Sequence, residues 1–280
     1  MIRSPFFPSA SRLALALGLA PTLLAQSGAM PPPPLMMFVR EEVKPGHGGP
    51  HEATESAWAR ALAKGKSTDH WLGMEALTGP SEAWFIVGYG SYADWEKKRK
   101  EMDASPALKK EIEKVALQDG EHLSGARSFL GAWRKDLSYG PPVEIAKMRY
   151  FRTRLFRVKQ GANKAFEEGV KTALAAYEKS RYSASFAFYE IVAGLGSPSY
   201  IVLRPMKSLA ELDGAEAADK AFQEALGPDG QKAMQKVFTE TVNAVENQIL
   251  AFNPRLSFPH PGMVASDPFW APKAVKDGAK

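Results

Sequence analysis

His51-Glu-Ala-Thr-Glu55 begins like a zincin helix, in which two imidazoles one turn apart face a single ion. The second imidazole is missing, because Glu55 occupies the fifth position. His47 stands four residues before His51 in a Gly/Pro loop, and His47, His51 and Glu55 together would supply three metal ligands. A second reading stays open: acidic side chains at a helix start are favoured by the helix dipole alone. His70, beside Asp69, has the chemistry of a proton acceptor or of a surface loop histidine. Arg152, Arg154, Glu190 and Arg204 are charges set among apolar strand residues. On an inner sheet face such a charge is costly unless it is paired or bound to ligand. Arg154 with Tyr150 or Tyr189 would then hold the carboxylate or phenolate of an aromatic molecule. Glu190, Arg204 and Trp71 extend that ligand-binding set, and the alternative is an outward solvated position or an internal Arg–Glu pair.

Other chemistries are excluded. Cysteine is absent, which removes disulfides, thiolate metal sites and a cysteine nucleophile. No glycine-rich phosphate loop sits in a strand-to-helix setting, and no Gly-x-Ser-x-Gly elbow occurs. Lys97-Lys-Arg-Lys100 is flanked by Glu96 and Glu101, which reads as the wet side of a helix. The net charge of +5 is too weak a field to argue for nucleic acid. A composition of 45% hydrophobic and 24% charged residues in 280 is that of a globular chain with ample core material.

The ends differ from the middle. Arg3 and Arg12 precede the apolar run Leu13–Ala25, the pattern of a secretory signal peptide with small residues for cleavage after Ala25. That reading gives an exported, periplasmic or extracellular protein with no stable membrane insertion once the leader is cut. Residues 26–34 are a proline-rich spacer leading into the first strand, and residues 259–280 an irregular proline-rich tail. Phe269-Trp270 in that tail reads as an aromatic pair docked on the body.

The positioning elements occur twice. Val43-Lys-Pro-Gly46 matches Val158-Lys-Gln-Gly161, Ser91-Tyr-Ala-Asp-Trp-Glu96 matches Ser208-Leu-Ala-Glu-Leu-Asp213, and Ala132–Tyr139 matches Ala251–Phe258. The offsets of 115, 117 and 119 keep one order, so residues 35–139 and 147–258 read as two copies joined by a linker at 140–146. Each copy gives a strand ended by a Gly turn, a helix of period 3.6, two strands, a serine-capped helical region and a last strand. The first-copy strands are Leu35–Val43, Trp71–Leu77, Ala83–Tyr89 and Ser128–Trp133. The second-copy strands are Met148–Val158, Ser185–Ala193, Ser199–Leu203 and Gln248–Phe252. The order β-α-β-β-α-β is the ferredoxin-like unit. One such sheet leaves an apolar face open, and two packed face to face bury it. The expected fold is therefore α+β: two tandem ferredoxin-like units forming a barrel within one chain, helices outside, as a monomeric pseudo-dimer or a homodimer.

Arg154-Leu-Phe-Arg-Val-Lys-Gln-Gly161 and Trp84–Trp95, with Asp103-x-x-Pro106 after it, resemble NIPSNAP-type domains of the dimeric α+β barrel superfamily. Val39 stands where the second copy has Arg154, so any anion-binding role of that arginine belongs to one half. The resemblance implies a cavity between sheet and helices, and relatives that include cofactor-free monooxygenases, haem enzymes and ligand binders. Haem enzymes of this type use a histidine of the second unit, and Glu144–Phe258 contains none. No cofactor is expected. The function expected is binding of a small, partly apolar ligand in a barrel cavity. The alternative is a cofactor-independent monooxygenase or isomerase in which Arg154 binds an oxyanion and His70 or Tyr189 moves a proton.

Overall fold

The computed structural model describes residues 28–196 and 198–271. The expected leader, 1–25, lies outside the described residues. The first half runs β1 (Leu35–Val43), α1 (Gly48–Lys64), β2 (Leu72–Ala76), β3 (Glu82–Tyr89), α2 (Tyr92–Asp103), α3 (Pro106–Gly120) and β4 (Leu123–Trp133). The second runs β5 (Tyr150–Val158), α4 (Asn163–Lys179), β6 (Ala187–Ala193), β7 (Ser199–Met206), α5 (Ala215–Thr241) and β8 (Val242–Phe252), and α6 (Pro261–Ser266) follows. All strand pairs are antiparallel, and the eight strands close in the order β1-β3-β2-β8-β5-β7-β6-β4. Each half thus contributes four adjacent strands. The two sets meet along their edges, β2 on β8 and β4 on β6, rather than as two separate stacked sheets. Mixed α+β architecture with an antiparallel barrel is the result.

Local chemistry fixes the elements. Gly46 and Gly161 adopt φ +82° and +80° and end β1 and β5. Ser91 Oγ accepts from the Asp94 amide and Ser105 Oγ from the Leu108 amide, so α2 and α3 are separately capped helices. In the second half the helical region breaks at Gly227, which has a non-helical φ of 68° and is followed by Pro228, so α5 is two helical segments meeting at a kink. Registers repeat between halves. A bulge between Glu42 and Val43 on β1/β4 has its equal between Arg157 and Val158 on β5/β8.

Side-chain alternation divides inside from outside. Met36 and Phe38, Leu72 and Met74, Trp84 and Ile86, Phe151 and Leu155, Ile201 and Leu203, and Leu250 and Phe252 fill the barrel in one buried cluster. The intervening residues face helices: Phe85 and Val43 in the first half, Phe156, Phe188 and Tyr200 in the second. β4 and β8 each begin about five residues before the expected start, and those first residues are largely exposed.

The tail is more ordered than its composition suggests. Residues 261–266 are helical, and Pro268–Trp270 forms a 3-10 turn. Trp270 is 1% exposed, donates through Nε1 to the Ala146 carbonyl at 2.8 Å and lies 5.3 Å from the Phe252 ring. Trp270→Ala is expected to lower unfolding free energy by about 3–5 kcal/mol, the cost of truncating a buried aromatic. Urea denaturation measures it, and a loss below 1 kcal/mol would show that the tail is only loosely laid on the body.

Candidate functional site

A cavity of about 450 Å³ opens at one mouth of the barrel. Its floor is apolar: Met36, Leu72, Ile86, Phe151 and Leu203, with Tyr189 against them. Two segments outside the barrel strands form much of the rest of the wall. One is Met30–Pro33 and the other Ser138–Ala146, and a bridge between Met30 and Val143 ties them together. The proline-rich stretch is therefore more than a lead-in. The Pro33 carbonyl accepts from Tyr189 Oη at 3.0 Å and the Pro34 carbonyl from the Trp133 amide at 2.9 Å. Among the described residues lining the cavity there is no His, Asp or Glu, and Lys135 is the cationic group there.

A charged cluster occupies the interior further along the barrel. Arg40 Nη2 donates to both Glu82 carboxylate oxygens at 2.8 and 2.9 Å, and Nη1 to Glu246 at 2.9 Å. Gln248 Nε2 and Trp84 Nε1 also donate to Glu82, and the guanidinium lies 4.4 Å over the Trp84 ring. Burial by itself would raise the Glu82 carboxyl. The hydrogen bonds from Gln248, Arg40 and Trp84 outweigh it and hold the group below the usual carboxylate range. The pair is buried, and the other cation near Glu82 is the half-exposed Arg127 at 3.7 Å, so removing Arg40 leaves a buried carboxylate poorly compensated.

A third constellation lies outside the first-half strands. Glu41 on β1, His51 and Glu55 on α1 and Asp119 on α3 bring their ligand atoms within 4.8 Å of one another. His51 Nε2 is 2.9 Å from Glu41 and 3.7 Å from Asp119. Burial, then repulsion from Glu41 and Asp119, raises the Glu55 carboxyl well above its ordinary value.

The expected site residues are dispersed. Tyr189 reaches the cavity, but its hydroxyl is committed to Pro33 and burial pushes its ionisation up. Arg154 lies on the outer face, exposed, with Nε bonded to Asn247 at 3.0 Å. Phe151, Thr153 and Leu155 take the inward positions of β5, which turns Tyr150, Arg152 and Arg154 outward. Glu190 is held by Arg134 at 2.9 Å, and Arg204 faces Glu211 at 3.7 Å. Trp71 donates to the Leu256 carbonyl and packs on Phe258, away from the cavity. None of these six lines the cavity. His70 sits between Phe258 and His260, with ring centroids 4.9 and 5.0 Å away, and is also off the cavity. His47 turns to His122, Nδ1 to Nδ1 at 3.1 Å, and so leaves the set in which His51 and Glu55 remain. Glu41, Asp119, Arg40 and Glu82 carry no local spacing signal, because they meet only through the fold.

No family model and no curated protein matches the chain. Solved structures do. A candidate monooxygenase from Fusobacterium nucleatum subsp. nucleatum aligns with TM-score 0.51 at 10% identity, over 80% of this chain and 94% of that one. An anthrone oxidase-like protein aligns with TM-score 0.51 at 11% identity, over 78% and 91%. The chain shares an α+β barrel fold with them. At these identities the likeness reaches the barrel architecture alone. No helix among the described residues is long and apolar enough to cross a membrane.

Two outcomes test the charged groups of this α+β barrel. Arg40→Met should cost about 3–5 kcal/mol, as expected for breaking one side of a buried pair. Arg40→Met with Glu82→Gln should recover much of that in denaturation experiments, and equal losses would sink the buried-charge account. For His70, burial first and His260 second depress the ring to about 4. The unfolded chain then binds the extra proton between about pH 6.5 and 4, so stability falls as pH drops through that window. His70→Gln should flatten this part of the urea-midpoint profile, and an unchanged slope would show a solvated ring.

Proposed function

We propose that this is an exported protein that binds a small, partly apolar molecule in the barrel-mouth cavity. The observation that carries the reading is the cavity itself. It has the size of a small-molecule site, an apolar floor and a few polar groups at its edge. The ligand's hydrocarbon part would lie against Ile86, Phe151 and Leu203, and a polar or anionic end would face Lys135. The run Leu13–Ala25 supports export. The NIPSNAP resemblance rests on the strand and cap motifs alone.

We read the two halves as copies of one ferredoxin-like unit, residues 35–139 and 147–258. The shared register bulge and the common offsets support that reading. Because both halves close one barrel within a single chain, a monomeric pseudo-dimer needs no second copy for closure.

The second reading is a cofactor-independent monooxygenase or isomerase acting on an aromatic substrate, and it draws on the descriptions of the two similar structures. Tyr189 would be its proton-moving group at the cavity. Its hydroxyl already donates to Pro33, which favours binding over turnover.

The test is uptake of an apolar anionic fluorophore such as 1-anilinonaphthalene-8-sulfonate by the folded protein, beside native mass spectrometry of the exported form. Ala187→Trp, which fills the cavity from β6, should weaken uptake about tenfold or more while the circular dichroism spectrum is kept. Undiminished uptake in that variant would remove the cavity from consideration. Oxygen consumption with phenols and quinols that Tyr189→Phe abolishes would favour the second reading.

A further inference from the structure

We propose that Glu41, His51, Glu55 and Asp119 form a binding site for one divalent transition-metal ion, of the zinc, manganese or ferrous class. The four side chains come from β1, α1 and α3, and only the tertiary fold assembles them. Their ligand atoms all fall within 4.8 Å of one another. Opposed ligands of an ion bound at about 2.1 Å lie about 4.2 Å apart, so a modest contraction closes the shell. His51, Glu55 and Asp119 are buried, at 2, 6 and 5% exposure.

The second observation is Glu55 itself. Its carboxylate is more than nine-tenths buried and aimed at the other three groups, and no described residue gives it a hydrogen bond or an ion pair. Nor does any Lys or Arg among the described residues pair with Glu41 or Asp119, whose neighbour is the imidazole of His51. Three carboxyl groups brought this close in a mostly buried cluster, with no Lys or Arg beside them, repel one another as they ionise. A divalent ion would supply the missing charge. Thr54 Oγ, 2.6 Å from Asp119 Oδ1 and 2.7 Å from the His51 carbonyl, stands beside two of the proposed ligands as an outer-sphere group would.

Comparison between halves sharpens the point. An offset of 115 places Phe156, Phe166 and Val170 opposite Glu41, His51 and Glu55, and 119 places Phe238 opposite Asp119. In the second half that place is ordinary helix-on-sheet packing, with Phe156 at 5.3 Å from Phe166 and 6.4 Å from Phe238. All four apolar positions of one half are ligand types in the other. The other half of the same chain fills this place with apolar side chains, so four donors at once imply a ligand. The donor set decides its class. An imidazole among carboxylates, without thiolate, suits zinc, manganese or ferrous iron over calcium or magnesium. On binding, His51 Nε2 exchanges its contact with Glu41 for the ion, and any proton there leaves to solvent.

The test uses full-length mature protein, stripped with EDTA and titrated separately with zinc chloride, manganese chloride, calcium chloride and magnesium chloride. Calorimetry gives stoichiometry, and thermal unfolding gives an independent readout. One equivalent of zinc or manganese is expected, with a raised Tm. Glu55→Gln, of the same shape, should fold, be at least as stable as wild type without metal, and bind about 100-fold more weakly or worse. His47→Ala should bind as wild type does. Absence of stoichiometric zinc and manganese binding, equal binding by Glu55→Gln, or loss in His47→Ala would overturn the site. Calcium or magnesium binding as tight as manganese would overturn the assigned metal class.

Discussion

Two hydrogen-bonded seams hold this molecule to its shape. β2 pairs with β8 through Met74–Ala76 against Leu250–Phe252, and β4 with β6 through Leu130–Trp133. Each half alone would present an apolar sheet face to water and two unpaired edges. Joining the edges answers both liabilities at once: Phe38, Trp84, Leu155 and Ile201 go inside, and each described strand has a partner on both sides over at least part of its length. Close approach at the seam is strict. A Cβ on Gly73 would come within 2.4 Å of the Leu256 carbonyl, so β2 accepts the following loop only with glycine there.

The same closure explains why the two ends of the interior differ. Charge in a closed barrel must be satisfied by the barrel's own side chains, and Arg40 is met by carboxylates from two strands of different halves. The opposite mouth has no such cluster. It is finished by segments outside the strands, which leave room where side chains would otherwise fill the space.

How much of this could be read beforehand depends on range. Strand and helix identities follow local signals: Gly46 and Gly161 after β1 and β5, serine caps at Ser91 and Ser105, the breaks at Pro106 and Gly227. The first residues of β4 and β8 are hard to read because apolar and polar side chains mix there without a period of two, and few of them are buried. Facing was the harder matter. β5 carries apolar residues on both sides, Leu155 inward and Phe156 outward, so its arginines could not be assigned a side from the pattern. β1 hides the converse, an arginine that does point in. His51 and Glu55 were visible as a helical pair, whereas Glu41 and Asp119 are brought to them by packing of α1 and α3 on β1, which no spacing rule encodes.

Pro31 to Pro34 offer no amide hydrogens, so this strap cannot become a ninth strand. Pro33 and Pro34 touch the rim only as acceptors, from a tyrosine hydroxyl and one amide. Loosening this part of the strap would cost two separate hydrogen bonds and would leave every rung between the barrel strands in place.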